Sequence, residues 1–146
     1  RALATAHDLY GRILLENSSF EKAVQQFRRA IRADDSFGSA YVNLGHVLRM
    51  LGNFDASVET LYTGLGLGSM EDLERGRAWK ELAKTYTQSN ALTNANTAYR
   101  EAYTLTPTDP SLLAPYVTTL VWLGDNAKAQ EVMQKAVREG AYGDPL

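Results

Sequence analysis

The chain of 146 residues contains no cysteine. That rules out a disulfide framework, a thiolate zinc site and a cysteine nucleophile, and it leaves the redox compartment open. A net charge of −2 argues against general nucleic-acid affinity. No apolar run approaches the roughly 18 residues that a bilayer crossing needs, so neither membrane insertion nor nucleic-acid binding is expected. Two histidines, His7 and His46, have no His or Glu partner at metal-ligand spacing. The carboxylates are scattered over outward faces and turns, and no serine has a positioned base. We therefore expect no catalytic centre, no metal and no cofactor. Gly64, Gly66 and Gly68 mimic a phosphate loop only superficially, because no strand precedes them and no Lys-Ser or Lys-Thr follows.

What is present is repetition. Residues 39–67 read as two amphipathic helices joined at Leu51-Gly52-Asn53. Tyr41, Leu44, Gly45 and Leu48 share one face of the first, and Phe54, Val58, Leu61 and Leu65 one face of the second. So short a hairpin cannot bury both faces alone. Thirty-four residues separate Gly11 from Gly45, Tyr10 from Leu44, Phe20 from Phe54 and Phe27 from Leu61. The same step links Ala95 to Ala129, Tyr99 to Met133 and Ala102 to Ala136.

A 34-residue helix–turn–helix period resembles the tetratricopeptide repeat. That family asks for an aromatic at position 4, Leu-Gly or Leu-Ala at 7 and 8, Ala at 20, an aromatic at 24, Ala at 27 and often Pro at 32. Trp79, Leu82, Ala83, Tyr86, Ala95, Tyr99, Ala102 and Pro107 fall in that register. His7, Tyr10, Gly11, Ala23, Phe27 and Ala30 form the first copy. Tyr41, Leu44, Gly45 and Leu61 form the second, with Ser57 and Gly64 where Ala is usual. Leu113, Tyr116, Val117, Ala129, Met133 and Ala136 form a worn fourth. The resemblance implies an all-α, right-handed superhelical solenoid of antiparallel hairpins. A single array spans residues 1–140, with repeats at 4–37, 38–71, 76–109 and 110–140, and a linker-like tail at 141–146. Small residues at positions 8, 20 and 27 let helices approach, and Trp79 and Tyr99 read as core.

Along the chain we expect helices at Ala2–Glu16 and Phe20–Ala33, with Ser18 and Glu21 forming a capping box. Asn17-Ser18-Ser19 also matches a glycosylation sequon, which we read as a plain turn. Asp35 or Ser36 is the expected N-cap of the third helix. The three glycines are expected to interrupt the end of the fourth. From Tyr41 to Trp79 the step is 38 residues, four more than the period. The fifth helix should then cover 70–88, capped by Ser69 and Asp72, and this joint is where the superhelix should bend. Further helices are expected over 91–105, which Thr106-Pro107 ends, and over 126–139, with Pro115 near the start of the seventh.

In the family the first helix of each pair lines a concave groove. Carried across, this yields Asp8, Leu9, Arg12, Leu15 and Glu16, then Val42, Asn43, His46, Arg49 and Met50. The third repeat contributes Arg77, Lys80, Glu81, Lys84, Thr87 and Gln88, and the fourth Ala114, Thr118, Val121 and Trp122. The centre is rich in basic residues although the chain is slightly acidic. The candidate partner-binding residues are Arg12, Asn43, His46, Arg49, Arg77, Lys80, Lys84 and Trp122. They point to an acidic peptide, with Trp122 as apolar anchor. Asp8, Arg12, Asn43, Arg77 and Glu81 occupy the slots of the family's chaperone-carboxylate clamp, but only Asn43 agrees outright and Arg77 partly. Leu9, Asn43, Glu81 and Pro115 make no asparagine ladder.

The expected role is a non-enzymatic protein-interaction scaffold in a soluble protein, with the cytoplasm as default. The rival readings are a substrate-recognition or regulatory arm of a larger enzyme, and a module that self-associates through its last repeat (Val121, Trp122, Val132). Because the chain opens at Arg1 rather than at a methionine, it reads as an excerpt of something longer.

Overall fold

The computed structural model describes residues 1–140, so the tail at 141–146 lies outside the described residues. Among them are eight helices and no strand: α1 (Ala2–Glu16), α2 (Phe20–Ala33), α3 (Gly38–Met50), α4 (Phe54–Leu65), α5 (Asp72–Gln88), α6 (Leu92–Leu105), α7 (Leu113–Trp122) and α8 (Asn126–Arg138). They pair as four antiparallel hairpins, α1·α2, α3·α4, α5·α6 and α7·α8. The first helices of the first three hairpins stack on one another, α1 on α3 and α3 on α5. This is the all-α solenoid that the period predicts.

The four hairpin turns are copies of one device. Ser18, Gly52, Asn90 and Gly124 all hold positive φ, from 60° to 82°. The next residue's N–H in each case reaches back to the carbonyl of the helix's last full turn: Ser19 to Leu14, Asn53 to Leu48, Ala91 to Tyr86 and Asp125 to Leu120, at 2.8–2.9 Å. This left-handed C-terminal motif satisfies helix carbonyls that would otherwise be orphaned. It also displaces the expected capping box. Ser18 is consumed by the left-handed position, Ser19 becomes the N-cap of α2, and neither side chain caps that helix.

The expected caps at the third and fifth helices are also not formed. Phe37 is the N-cap of α3, because Ser36 is held by Asp34, whose Oδ1 accepts from the Ser36 N–H at 3.0 Å and from its hydroxyl at 2.7 Å. Asp109 and Ser111 build the same local turn before α7. The fifth helix begins at Asp72 rather than at 70, with Glu71 as an N-cap that makes no side-chain bond. Ser69 instead donates to the Ser36 carbonyl across the joint at 3.0 Å. Met70 is buried in the core, and Arg75 Nη1 donates to the carbonyl of Leu65 at 3.2 Å. Pro115 is the third residue of α7, within the first turn, where a missing N–H breaks no helical bond.

Gly64 does not interrupt α4; it lies inside that helix because nothing larger fits. A Cβ there would sit 2.8 Å from both the Cε of Met70 and the Cβ of Tyr41. Position 8 shows the same close approach within the first two hairpins. A Cβ on Gly11 would meet the Phe27 ring at 2.5 Å, and one on Gly45 would meet Leu61 at 2.5 Å. Ser57 replaces the usual Ala for a reason that burial supplies. Its hydroxyl donates to the Gly45 carbonyl at 2.7 Å and lies 3.1 Å from the hydroxyl of Thr85, joining the second hairpin to the third.

Candidate functional site

The first helices of the hairpins bring side chains from three repeats to one concave surface. Arg12 from α1, Asn43 and His46 from α3, and Arg77 from α5 line one cavity of about 250 Å³, together with Leu15, Glu16, Val42 and Glu81. A second cavity, of about 280 Å³, lies toward the other end of the groove. Thr87, Tyr99, Pro115, Thr118 and Trp122 line it. Trp122 itself is 58% exposed. Five of the eight candidate residues therefore line these two cavities.

The remaining three are engaged with carboxylates. Arg49 was expected to offer its charge to a ligand. Its Nε instead donates to Glu81 Oε2 at 3.1 Å and its Nη1 to Gln88 Oε1 at 2.9 Å. The Lys84 ammonium lies 4.0 Å from Glu81 Oε1, and His46 Nδ1 lies 3.1 Å from that same oxygen. Lys80 Nζ donates to Asp109 Oδ2 at 3.1 Å, tying α5 to the turn before α7. Burial pushes the Glu81 carboxyl up, but the hydrogen bond to His46 and the charges of His46, Arg49 and Lys84 outweigh it and hold the group down at about 2. Glu81 is thus a resident anion at the middle of the groove, and the basic centre read from the sequence is largely neutralised from within.

Asn43, the one outright match to a carboxylate clamp, is also committed. Its Nδ2 donates to Asp8 Oδ1 at 2.9 Å, Ser39 donates to Asp8 Oδ2 at 3.2 Å, and Arg12 Nε lies 3.5 Å from that oxygen. Asp8 is 2% exposed. A buried carboxylate needs such partners, because leaving it unpaired would be far more costly. Asp8 and Glu81 organise the groove, yet neither was singled out as a site residue. The i,i+3 step from Glu81 to Lys84 and the i,i+4 step from Asp8 to Arg12 were visible signals; their bonds to other repeats were not.

Arg12 and Arg77 are different. Both are exposed. Arg12 makes only the long contact to Asp8, and among the described residues no carboxylate lies within ion-pair distance of Arg77. Of the two aromatics expected to be core, Tyr99 is core at 4% exposed, whereas Trp79 is half-buried against the core's edge, edge-on to Tyr62 at 5.9 Å. His7 fills a packing slot and shares a 2.8 Å hydrogen bond with Gln26. Among the described residues no cluster of three or more His, Asp or Glu could hold a metal, and no helix is long and apolar enough to cross a membrane.

Four stacked helix hairpins with a lined inner face define a helical-repeat solenoid. The tetratricopeptide repeat family model matches residues 10–69, and the third and fourth hairpins continue the same geometry to residue 140. Residues 10–69 thus match tetratricopeptide repeats, and the chain as a whole has the all-α repeat architecture of that family. Among solved structures it is similar to MamA, with a TM-score of 0.80 at 16% identity, over 92% of this chain and 77% of that one. A MamA RS-1 ArsTM double mutant gives 0.77 at 18% identity, over 92% and 74% of the respective chains. At these identities the likeness is one of fold. A comparison with curated proteins yields no match. Repeats of this family build interaction scaffolds and are typically not catalytic.

Proposed function

We propose that this chain holds a partner's extended segment in its concave groove, and that the segment is acidic. The observation that carries the reading is the cavity in which side chains from α1, α3 and α5 converge, with Arg12 and Arg77 at its wall and exposed. Single peptide chains suit such a curved inner surface, because every repeat contributes one strip of contacts to it. Exposed ion pairs contribute only about 0–1 kcal/mol each, so binding should be weak to moderate and salt-sensitive. Titration of a labelled acidic peptide at two ionic strengths tests this. Binding that weakens at the higher strength is expected, and none at either discards the acidic groove.

A second reading rests on the last hairpin. Val132, expected on this face, is instead buried in the core, but Val121 is 49% and Val137 53% exposed, and a cavity of about 500 Å³ opens beside Val117, Val121 and Met133. A face of this kind can pair with a second copy. Sedimentation velocity across a hundredfold range of concentration separates the two readings, since strictly monomeric behaviour removes the second.

A further inference from the structure

We infer that the groove selects a two-part segment: an acidic residue over Arg12 and Arg77, and a bulky apolar residue five or six positions away beside Trp122. The inference rests on the groove reading above and deepens it. Its starting point is that the middle of the groove is already satisfied. Arg49, His46 and Lys84 surround Glu81, so an incoming carboxylate finds there a resident anion rather than a vacant cation. Among the described residues, groove cations not drawn off at close range lie at one end, where Arg77 has no ion-pair partner and Arg12 remains half-exposed; Glu16 also lines that cavity but is within ion-pair distance of neither.

The other end has the opposite chemistry. The Trp122 cavity is walled by ring, methyl and methylene groups of Tyr99, Pro115, Ala114 and Thr118. Among the described residues no ion pair reaches it: Lys80 is drawn off to Asp109, and Arg49 to Glu81 and Gln88. An exposed tryptophan beside a preformed apolar hollow is the kind of anchor point that carries binding energy, because it desolvates a large side chain at low entropic cost. Charge complementarity therefore sets one end of the occupant, and apolar complementarity the other.

The spacing follows from the stacking. The acidic-residue cavity is centred on α3, and the Trp122 cavity between α5 and α7. With α3 packed on α5 at about 8–10 Å, α7 held beside α5 through α6, and about 1.5 Å of rise per residue from Glu81 to Thr87, the centres lie roughly 15–20 Å apart. An extended chain at about 3.3 Å per residue covers that in five or six residues. A fully acidic segment leaves the Trp122 hollow unfilled, and a fully apolar one leaves the arginines without a counterion.

Panning a random dodecapeptide phage library on the chain tests the inference. The expected result is enrichment of sequences in which Asp or Glu is followed or preceded, five or six positions away, by Leu, Ile, Phe or Trp. Synthetic copies should bind about tenfold more weakly to Trp122→Ala, and about tenfold more weakly to an Arg12→Gln, Arg77→Gln double variant. These changes remove charge or ring without placing a carboxylate beside Asp8, and unchanged circular dichroism melts exclude misfolding. Enrichment of acidic sequences with no spaced apolar residue overturns the two-part selection and leaves the groove reading intact. Peptides that bind all three proteins equally, or no enrichment at all, overturn both.

Discussion

Leu65 and Val137 occupy the same place in the second and fourth hairpins, near the end of the second helix, and both are aliphatic. Leu65 is 8% exposed and Val137 53%. The difference lies in what comes next. Leu65 shares a core with Met70 of the joint and with Ala78 and Leu82 of the following hairpin, whereas the described residues include no further hairpin to pack on Val137. Gly45 and Val117, at the same position of their repeats, make a parallel contrast. Gly45 faces fully buried Leu61, whereas Val117 and Met133 are both only partly buried and line an open cavity. A repeat's burial is thus set by its neighbours as much as by its own residues, as expected for a chain of nearest-neighbour contacts.

The largest effect should come from forcing the fourth hairpin's residue into the second. Gly45→Val places branched carbons where even a Cβ would lie 2.5 Å from Leu61. We expect a loss of about 3–4 kcal/mol in urea melts followed by circular dichroism. The reverse exchange, Val117→Gly, should cost about 1–2 kcal/mol. Leu65→Ala should lose about 2–3 kcal/mol, against less than about 0.5 for Val137→Ala. Equal losses at the two positions would mean that the last hairpin is covered in solution, and would sharpen the case for a second copy there.

Next comes the groove centre. Glu81 has a folded-state value near 2, below its ordinary 4.5. A depressed carboxyl contributes its stability above the unfolded value, and that contribution fades as pH falls from about 4.5 toward 2. Glu81→Gln should therefore destabilise the array by about 2 kcal/mol at pH 7, since it leaves Arg49 without its counterion. The gap from wild type should close in melts at pH 3 and below. A pH-independent gap would show that Glu81 acts through packing alone.

Ser57→Ala should cost about 1 kcal/mol, because it removes the buried bond to the Gly45 carbonyl yet restores the small residue usual at that place. Trp122→Ala should sit at the small end, within about 0.5 kcal/mol of wild type in the melt. A large stability loss at Trp122 would place it in the core and remove it from the groove.

Much of the fold was legible because it rests on period and side-chain size. The pairs Gly11–Phe27 and Gly45–Leu61, the 34-residue step and the four-residue insertion are all written locally, and α1 and α2 fall where their amphipathic pattern puts them. The helix starts were misread at Ser18, Ser36 and Ser69. A hydroxyl's partner is chosen by turn geometry and by the neighbouring repeat, and neither is encoded in the residue's own surroundings. At the site, position in the repeat placed Arg12, Asn43, His46 and Arg77 on one surface, but residue type alone overstated how much of their charge is free. The pairing of Arg49 with Glu81 spans 32 residues, and a reading of charge along one helix has no access to it.

By itself the order of amino acids determined that similar hairpins would form and that they would need each other, because apolar faces recurring at helical spacing have no other way to leave water. Only the stacked structure decided which groove charges cancel and which remain. Ion pairing depends on distances between helices that lie one repeat apart, and those distances exist only after the hairpins have met.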